Sequence, residues 1–343
     1  MTTSGPADAE TMRALVLGEF GAPLEPRTVS RPVPQPGEVL VRVAASGVNP
    51  LDTKIRAGGA AHARVRVPAI LGMDLAGVVT GVGPGVSRFK PGDEVYGMTG
   101  GVGDHQGSLA EYAAVDADLL AIKPARLSMA QAAALPLPVI TAWEGLVDRA
   151  AVGPGQAVLI HGGAGGVGHV AVQIAVARGA TVWATGGPGN FRIIRGFGAQ
   201  PMNYKTASVE DYLAVSPSGE GFDVIFDTVG GATLDQAFQS VRPYTGRVLS
   251  ILGWGTHSLA PLSFRGASYS GVFTLLPLLT GRGRAHHGQI LTDAAALVQA
   301  GQLTPRLDPG KYHLDSVMAA HKAVETGATK GKVVVTIGQP PAG

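Results

Sequence analysis

The sequence predicts an α/β protein in which a doubly wound parallel sheet is joined to a separate β-rich domain. Three observations support this prediction. A β-branched run at residues 156–161 leads into a glycine-dense turn and then into an amphipathic segment. Downstream of this turn, short apolar runs alternate with helical patterns, as in parallel α/β sheets. Upstream of residue 127, Pro and Gly separate short strands, which is typical of an antiparallel β fold.

The elements of the first part are expected in the following order. Strands are expected at residues 13–17, 38–43, 70–83, 93–96 and 109–115. A capping box formed by Ser128 and Gln131 predicts a short helix over residues 129–135. Pro136 and Pro138 are expected to end it. A second helix over residues 140–149 then leads into the glycine turn.

The second part carries the predicted parallel sheet. Its strands are expected at residues 157–161, 181–185, 201–204, 223–227 and 247–251, with 268–273 as the last strand. The helices between them are expected at residues 166–178, 191–197, 209–213 and 233–240. Helices at 289–300 and 314–325 and a strand at 332–337 follow. Because the β-rich beginning lacks a closing partner, this last segment is expected to return and complete it. The predicted domains are 12–138, 139–273 and 274–343.

Composition limits the classes of protein and partner. The chain has 343 residues, of which 45% are hydrophobic, so it is expected to bury more than one core. The net charge is only +2, and no cluster of Lys and Arg is interleaved with aromatic residues. Nucleic-acid binding is therefore not expected. The sequence contains no cysteine, which excludes disulfides and thiolate metal sites.

No export signal or membrane segment is predicted. Residues 1–11 are small and polar and carry Asp8 and Glu10, unlike the basic start and apolar run of a secretory signal. The uncharged stretches 127–143 and 150–177 both contain proline, and the second also contains the glycine turn. We interpret both as elements buried inside an α/β domain. A soluble cytoplasmic protein is expected.

The glycine turn has the spacing of a dinucleotide-binding loop, Gly163-x-Gly165-x-x-Gly168. One glycine permits the tight turn, one lets the main chain approach a pyrophosphate, and one lets helix and strand pack closely. The N–H groups and dipole of the following helix favour a dianion. Together with Gly166 and Val167, these glycines form the predicted pyrophosphate site. With 50 glycines in the chain, the flanking strand and helix distinguish this site from a plain turn.

The end of the second parallel strand favours NADP(H). An NAD site usually carries an acid about 20 residues after the glycine loop. Here the strand ends at Thr185 and two glycines follow, so a 2′-phosphate would meet no negative charge. Nearby Arg192, Tyr204 and Lys205 are expected to attract it. The alternative interpretation of Arg192 is a residue on a solvated helix face.

Several further motifs occur in a fixed order. They are GVNPLDTKIRAG at 47–58, PGDEVYG at 91–97, AEY at 110–112, LPLPVITAW at 135–143, FDVIFD at 222–227 and GATKGK at 327–332. Together with the glycine turn, they resemble the zinc-free quinone oxidoreductase branch of the medium-chain dehydrogenase/reductase superfamily. The resemblance covers residues 12–337. It implies a Rossmann domain inserted in a GroES-like β-barrel domain, with the active site in the cleft between the two.

Zinc is not expected. In the zinc-dependent relatives, a Cys follows the first strand pair and a Gly-His-Glu motif supplies a further ligand. Here these positions read Val48-Asn49 and Gly72-Met73-Asp74, and the four-Cys lobe is absent. Without a Lewis acid to lower the pKa of an alcohol, reduction of an electrophilic acceptor is favoured. Four histidines are given no metal role and are interpreted as surface residues. His286 and His287 are expected in a loop, and the other two are His313 and His321.

The resemblance implies roles for single residues. Asn49 and Thr141 would lie near the nicotinamide ring, and the backbone of Leu252 and Gly253 would bind its carboxamide. The Lys that the branch usually carries beyond the second strand is replaced by Asn190.

Each of these roles has a structural alternative. Asn49 before a proline is an ordinary turn residue, and Thr141 fits a helix start. Asp52 and Arg56 are spaced to form an ion pair across one helical turn.

The expected reaction passes hydride to a quinone or an α,β-unsaturated carbonyl. Asn49, Asp52 and Lys54 are the candidate catalytic residues, with Lys54 or solvent as the source of the proton. A homodimer is expected, formed by edge-to-edge pairing of the strand at residues 268–273. Two alternatives remain open: a non-catalytic dinucleotide-binding protein with a crystallin-like or scaffold role, and an enoyl-thioester reductase. The usual catalytic Tyr of that last group is not evident near Asn49.

Overall fold

The computed structural model describes residues 10–337, which form two compact units. The first unit comprises the chain up to Leu137, Leu275–Ala295 and the chain from Pro305 onward. The second unit comprises Pro138–Thr274 and Ala296–Thr304. The chain therefore leaves the first unit, builds the second and then returns.

The first part of the first unit is rich in strands. They are β1 (Thr11–Leu17), β2 (Leu24–Ser30), β3 (Glu38–Val48), β4 (Ala69–Ile70), β5 (Asp74–Val82), β6 (Glu94–Met98), β7 (Tyr112–Asp116) and β8 (Leu120–Ile122). The helices of this part are α1 (Pro50–Arg56) and α2 (Met129–Ala133). Strand β2, with mostly exposed side chains, was not predicted, because it lacks the apolar alternation of a half-buried strand.

A parallel sheet forms the centre of the second unit. Its elements are α3 (Pro136–Trp143), which begins in the first unit, β9 (Ala157–Ile160), α4 (Gly168–Ala177), β10 (Thr181–Gly186), α5 (Phe191–Gly196), β11 (Gln200–Asn203), α6 (Val209–Val215), β12 (Val224–Asp227), α7 (Ala232–Ser240), β13 (Arg247–Ser250), α8 (Ala260–Arg265) and β14 (Ser268–Gly271). The strand order is β11-β10-β9-β12-β13-β14, and every pair is parallel. Strands β9 and β12 are buried along their whole length, as expected for central parallel strands. The predicted doubly wound sheet is confirmed.

The return segment closes the β-rich unit. It contains α9 (Leu276–Thr280), α10 (Arg284–Gln299), β15 (Tyr312–His313), α11 (Val317–Glu325) and β16 (Val333–Thr336). The larger sheet runs β15-β16-β3-β5-β6-β8, with β7 also paired to β3. Residues 45–48 of β3 pair with β16, and residues 38–42 pair with β7. The side of β3 that faces away from β5 is therefore hydrogen-bonded to two different strands. Within residues 10–337, no helix is long and apolar enough to cross a bilayer.

The helix before the glycine turn begins earlier than predicted. Helix α3 starts at Pro136, whereas the sequence predicted a break there and a new helix at residue 140. Prolines are accepted in the first turn, because the N–H groups of these positions have no acceptor within the helix. A π-helical turn, Glu144–Arg149, completes the segment.

The interpretation of the histidines as surface residues is wrong for two of them. His286 and His287 lie inside α10 rather than in a loop, and His287 is buried. His321 of α11 is also buried. Both buried rings lie on the inner faces of helices of the return segment, where sequence spacing alone gave no reason to place an ionisable group.

Candidate dinucleotide site and a buried polar cluster

The glycine turn is tightly packed at some glycines and open at another. A Cβ on Gly163 would lie 2.5 Å from the Cβ of Ala184, and a Cβ on Gly168 would lie 2.0 Å from the carbonyl oxygen of Gly162. Neighbouring atoms therefore exclude a side chain at both positions. At Gly166 no atom lies within 4 Å of the Cβ position. Gly162 has φ +72°, so a residue before the fingerprint supplies the left-handed conformation of the turn.

Strand β10 holds this turn through Thr185. The N–H of Gly162 donates a 2.9 Å hydrogen bond to Thr185 Oγ1. The N–H of Gly163 donates a 2.9 Å hydrogen bond to the Thr185 carbonyl oxygen. Thr185 is buried, so the structure places this predicted cofactor residue directly against the turn. After Val167 the chain enters α4, where the N–H groups of His169 and Val170 donate 3.1 Å hydrogen bonds to the carbonyl oxygens of Gly165 and Val167.

The chain segment that runs from the end of β10 to just beyond β11 carries no acidic side chain. Residues 186–205 contain no Asp or Glu. Arg192, Tyr204 and Lys205 are exposed there. The N–H of Asn190 donates to the Gly187 carbonyl oxygen at 2.9 Å. The ring of Tyr204 lies 3.8 Å from the Cβ position of Gly187, so Asn190 and Tyr204 both lie close to the end of β10.

The backbone after β13 is held by polar residues that the sequence interpretation did not single out. Asp227, fully buried at the end of β12, accepts a 2.7 Å hydrogen bond from Ser250 Oγ. Ser250 Oγ in turn accepts a 3.1 Å bond from the Leu252 N–H. A Cβ on Gly253 would lie 2.1 Å from the hydroxyl oxygen of Tyr269. The available signal was that Asp227 and Ser250 end neighbouring parallel strands, where ligand sites usually form.

Two of the structural alternatives raised by the sequence are wrong. Thr141 is buried in the second half of α3 and does not start a helix. Asp52 and Arg56 do not pair. Arg56 donates a 2.7 Å hydrogen bond to Glu325, and the Asp52 carboxyl accepts the backbone N–H of Asn49 at 2.7 Å.

The first unit contains a buried cluster of polar side chains formed by Asn49, Asp52, Asp74 and Lys332. The Lys332 ammonium donates to Asn49 Oδ1 and, at 3.3 Å, to Asp74 Oδ2. Asn49 Nδ2 donates to the same Asp74 oxygen at 3.0 Å. The second Asp74 oxygen accepts the N–H of Leu137 at 2.9 Å. The cluster is thus one connected hydrogen-bond network.

Strand register explains why residues so distant in sequence meet. Strand β3 is antiparallel to both β5 and β16. Asp74, at the start of β5, lies opposite Gly47. Val333, at the start of β16, lies opposite Val48. The end of β3 therefore lies between the first residues of its two partner strands. Asn49 follows β3, Asp74 opens β5 and Lys332 precedes β16. Lys332 is the last residue of the GATKGK motif at 327–332, but no role was predicted for it.

Burial dominates the electrostatics of the cluster. It raises the pKa of Asp52 to about 7; the hydrogen bond from the Asn49 N–H opposes this rise and the charge of Asp74 adds to it. Burial also raises the pKa of Asp74, against the effects of Lys332 and the hydrogen bonds from Asn49 and Leu137. Lys54, two residues beyond Asp52 on α1, is exposed. The structure therefore joins Asn49 and Asp52 and leaves Lys54 outside the cluster.

The residues present do not form a recognisable metal site. Among residues 10–337, no three His, Cys, Asp or Glu side chains converge as metal ligands would. Asn49 and Asp74 lie together, and the Lys332 ammonium contacts both.

Comparisons with known proteins agree with this architecture. Residues 35–125 match the alcohol dehydrogenase GroES-like domain, and residues 197–335 match a family described as zinc-binding dehydrogenase. The chain is 54% identical to a solved alcohol dehydrogenase superfamily protein from Novosphingobium aromaticivorans. The TM-score is 0.93, and the match covers 96% of this chain and 100% of that one.

Three of the similar curated proteins are named as reductases or oxidoreductases. One is the 2-methylene-furan-3-one reductase of Solanum lycopersicum, with 35% identity over 87% of this chain and 71% of the relative. Another is the chloroplastic NADPH-dependent alkenal/one oxidoreductase of Arabidopsis thaliana, with 33% identity over 94% of this chain and 79% of the relative. A third is the quinone oxidoreductase of Sus scrofa, with 32% identity over 95% of this chain and 98% of the relative. The chain therefore belongs to the medium-chain dehydrogenase/reductase superfamily and, within it, to the quinone oxidoreductase branch.

Proposed function

We propose that this chain is an NADPH-dependent reductase that passes hydride to a quinone or to the β-carbon of an α,β-unsaturated carbonyl, without zinc. The observation that carries the proposal is the open glycine turn beside a strand end that is free of acidic residues and flanked by Arg192 and Lys205. This combination suits a pyrophosphate followed by a 2′-phosphate. The reductases among the relatives support the two classes of acceptor.

The dinucleotide-binding residues are assigned from the local geometry. The pyrophosphate would contact the backbone of Gly163, Gly165, Gly166, Val167 and Gly168, with Thr185 holding the turn. The 2′-phosphate would contact Asn190, Arg192, Tyr204 and Lys205. Charge-assisted hydrogen bonds to phosphate are stronger than neutral ones, so the two cationic side chains are expected to contribute most of the preference for NADPH.

When bound, the dinucleotide supplies hydride from C4 of its nicotinamide. The contribution of the protein is orientation and the exclusion of water. We assign Asn49 and Thr141 to the nicotinamide, and the backbone of Leu252 and Gly253 to its carboxamide. Asn49 is fixed by Lys332, and Leu252 is fixed through its bond to a strand-end serine. Groups held in this way lose little freedom on binding.

The contacts of Lys332 support the zinc-free part of the proposal. Its ammonium is bonded to both Asn49 and Asp74, so a side chain already supplies positive charge at this position. A divalent ion bound to the same oxygens would be repelled by the ammonium at short range. An unactivated alcohol is a poor substrate without a Lewis acid, and an electrophilic acceptor needs none.

Dinucleotide titration and a panel of acceptors test the proposal. Saturable quenching of tryptophan fluorescence gives the Kd of NADPH and of NADH, and NADPH should bind more tightly. Oxidation of NADPH is then measured with 1,4-benzoquinone, with a set of enones and with an enoyl thioester, alongside the zinc content of the protein. Turnover with a quinone or enone and without stoichiometric zinc supports the proposal. Absence of dinucleotide binding, or turnover that requires zinc, contradicts it.

The same measurements separate the alternatives. Tight dinucleotide binding without turnover on any acceptor would indicate a non-catalytic role. Fastest turnover with the enoyl thioester would indicate an enoyl-thioester reductase. The candidate catalytic residues Asn49, Asp52 and Lys54 are tested by alanine variants, with kcat and KM read separately.

Oligomeric state and location stay predictions. Strand β14 lies at the edge of the parallel sheet, where a second chain would add its own strand. Light scattering of the purified protein checks the predicted homodimer. The predicted cytoplasmic location is checked by fractionation of the source cells.

A further inference from the structure

The cluster of Asn49, Asp52, Asp74 and Lys332 holds two carboxyl groups and one ammonium group away from water. Each of the four residues is at most 5% exposed. With both carboxyls ionised, the cluster would bear an uncompensated negative charge, which is costly in a buried site. One proton retained on the carboxyl groups makes the cluster neutral.

The hydrogen bonds indicate which carboxyl holds this proton. Both oxygens of Asp74 accept, one from Leu137 and the other from Asn49 and Lys332. Asp52 Oδ2 accepts from the Asn49 N–H, but Asp52 Oδ1 is buried and has no hydrogen-bond partner among the described residues. An oxygen without a donor gains least from being ionised. The proton is therefore assigned to Asp52 Oδ1, and Asp74 is the ionised member.

Lys332 also determines the direction of the Asn49 side chain. Its ammonium meets the amide oxygen, while the amide nitrogen points to Asp74. The reverse orientation would place the amide NH₂ group against the ammonium, with donors facing donors. A single buried cation thus selects one of the two amide orientations.

We propose that Lys332 is a positioning residue for the reduction: its ammonium orients the Asn49 carboxamide and stabilises ionised Asp74, while Asp52 keeps the proton. The role in reduction rests on the proposed function, since it acts through Asn49. The charge state of the cluster does not depend on any acceptor. The charged groups that act on Asp52 are Asp74 and Lys332, and burial raises the pKa of Asp52 to about 7. The cluster therefore gains its negative charge close to neutral pH.

Lys332→Met tests the positioning role, with Lys123→Met as a matched control. Lys123 is equally buried in the same unit, and it pairs with Glu94 at 3.0 Å. We expect Lys332→Met to lower kcat by at least about tenfold while the Kd of NADPH changes less than about threefold. Lys123→Met should keep both constants within about threefold of the wild type. Methylammonium added to Lys332→Ala should restore part of the lost kcat. Equal losses of kcat in the two methionine variants would overturn the positioning role.

Infrared difference spectra against pH test the charge state without an acceptor. The wild type should show the carbonyl band of a protonated carboxylic acid that disappears around neutral pH. The band should be missing in Asp52→Asn and should persist to higher pH in Lys332→Met. A band that persists in Asp52→Asn places the proton elsewhere and overturns the assignment. Lack of turnover with every acceptor would instead contradict the proposed function and leave this spectroscopic result valid.

Discussion

The Asp74 carboxyl accepts a 2.9 Å hydrogen bond from the backbone N–H of Leu137, a residue 63 positions later in the chain. Asp74 opens strand β5, and Leu137 is in the first turn of α3. A carboxylate at the start of a helix satisfies a free N–H and interacts favourably with the helix dipole. The same side chain therefore binds the Lys332 ammonium and fixes where α3 begins.

Asp74→Asn should destabilise the protein strongly. The substitution leaves the Lys332 ammonium buried without its counter-ion, and breaking such a pair typically costs about 3–5 kcal/mol. Urea denaturation gives the change in the free energy of unfolding. Asp118→Asn serves as the control, because Asp118 and its partner Arg88 are both about half exposed, and loss of their ion pair should cost less than about 1 kcal/mol. Similar losses in both variants would contradict a special role for the Asp74 pair.

Gly187→Asp should reverse the preference for NADPH. Gly187 follows β10 with φ −72°, and the nearest side-chain atom to its Cβ position, in Tyr204, is 3.8 Å away, so a side chain fits. The new carboxylate would repel a 2′-phosphate and accept a hydrogen bond from a free ribose hydroxyl. We expect the Kd of NADPH to rise about tenfold or more, while the Kd of NADH stays equal or falls. Gly187→Asn, which has the same shape without the charge, should change the Kd of NADPH much less. Equal effects of the two variants would mean that charge at this position does not select the dinucleotide.

Alanine substitutions at Gly163 and Gly166 should have different effects, the first on the stability of the protein and the second on its affinity for NADPH. Gly163→Ala places a methyl group 2.5 Å from Ala184 and should cost about 1–3 kcal/mol of stability. Gly166→Ala meets no atom within 4 Å and should leave the melting temperature unchanged, but it should weaken NADPH binding because the methyl group fills the predicted phosphate position. Gly189→Ala, also in open space, is the control for stability. Unchanged NADPH affinity in Gly166→Ala would place the pyrophosphate elsewhere.

His321 should make the protein less stable in acid. Burial, with the nearby positive charge of Arg56, lowers the pKa of His321 to about 4 from 6.5. Below pH 6.5 the unfolded chain binds the proton and the folded chain does not, so stability is lost as the pH falls from 6.5 to about 4. At about 1.4 kcal/mol for each pKa unit, the loss is about 3 kcal/mol. Neither ring nitrogen has a hydrogen-bond partner within residues 10–337, so His321→Leu removes the effect without breaking a bond described there.

Denaturation curves of His321→Leu and wild type between pH 4 and pH 7 measure this effect. The stability of the variant relative to wild type should increase by about 3 kcal/mol as the pH falls through this range. A constant difference between His321→Leu and wild type would mean that His321 binds its proton at the same pH in the folded and the unfolded protein.

Asp52 should produce the opposite trend. Its pKa is raised from 3.8 to about 7 in the folded protein, so its contribution to stability is complete below pH 4 and is lost as the pH rises through 7. Asp52→Asn should therefore gain stability relative to wild type between pH 4 and pH 8, by up to about 4 kcal/mol. The two trends offset each other in the wild type, and the single variants reveal each one. An Asp52→Asn protein that gains nothing at pH 8 would show that Asp52 ionises easily in the fold.

Local sequence was sufficient to predict the parallel sheet. The run before Gly162, the glycine spacing and the start of α4 are adjacent in the chain, so their structure depends on neighbours that the sequence displays. The basic surface around Arg192 and Lys205 was also predictable, because it requires only the absence of acids over a short stretch.

The buried cluster could not be predicted in the same way. Its members meet through the register of β3 with β5 and β16, and register is not visible in a single sequence. The start of α3 was misplaced for a related reason, since a long-range bond from Leu137 to Asp74 stabilises a helix that begins at Pro136. The sequence suggested Asn49 and Asp52 as site residues but gave no indication that Lys332 contacts Asn49.

Strand β16 is the last of the described strands to be synthesised. Until it pairs with β3, a nascent chain holds the carboxyl groups of Asp52 and Asp74 without the Lys332 ammonium beside them. Like charges would then repel at the edge where the strands must close. Completion of this unit is therefore expected to await the synthesis of β16, and premature termination before Lys332 should yield a chain that proteases and chaperones recognise as incompletely folded.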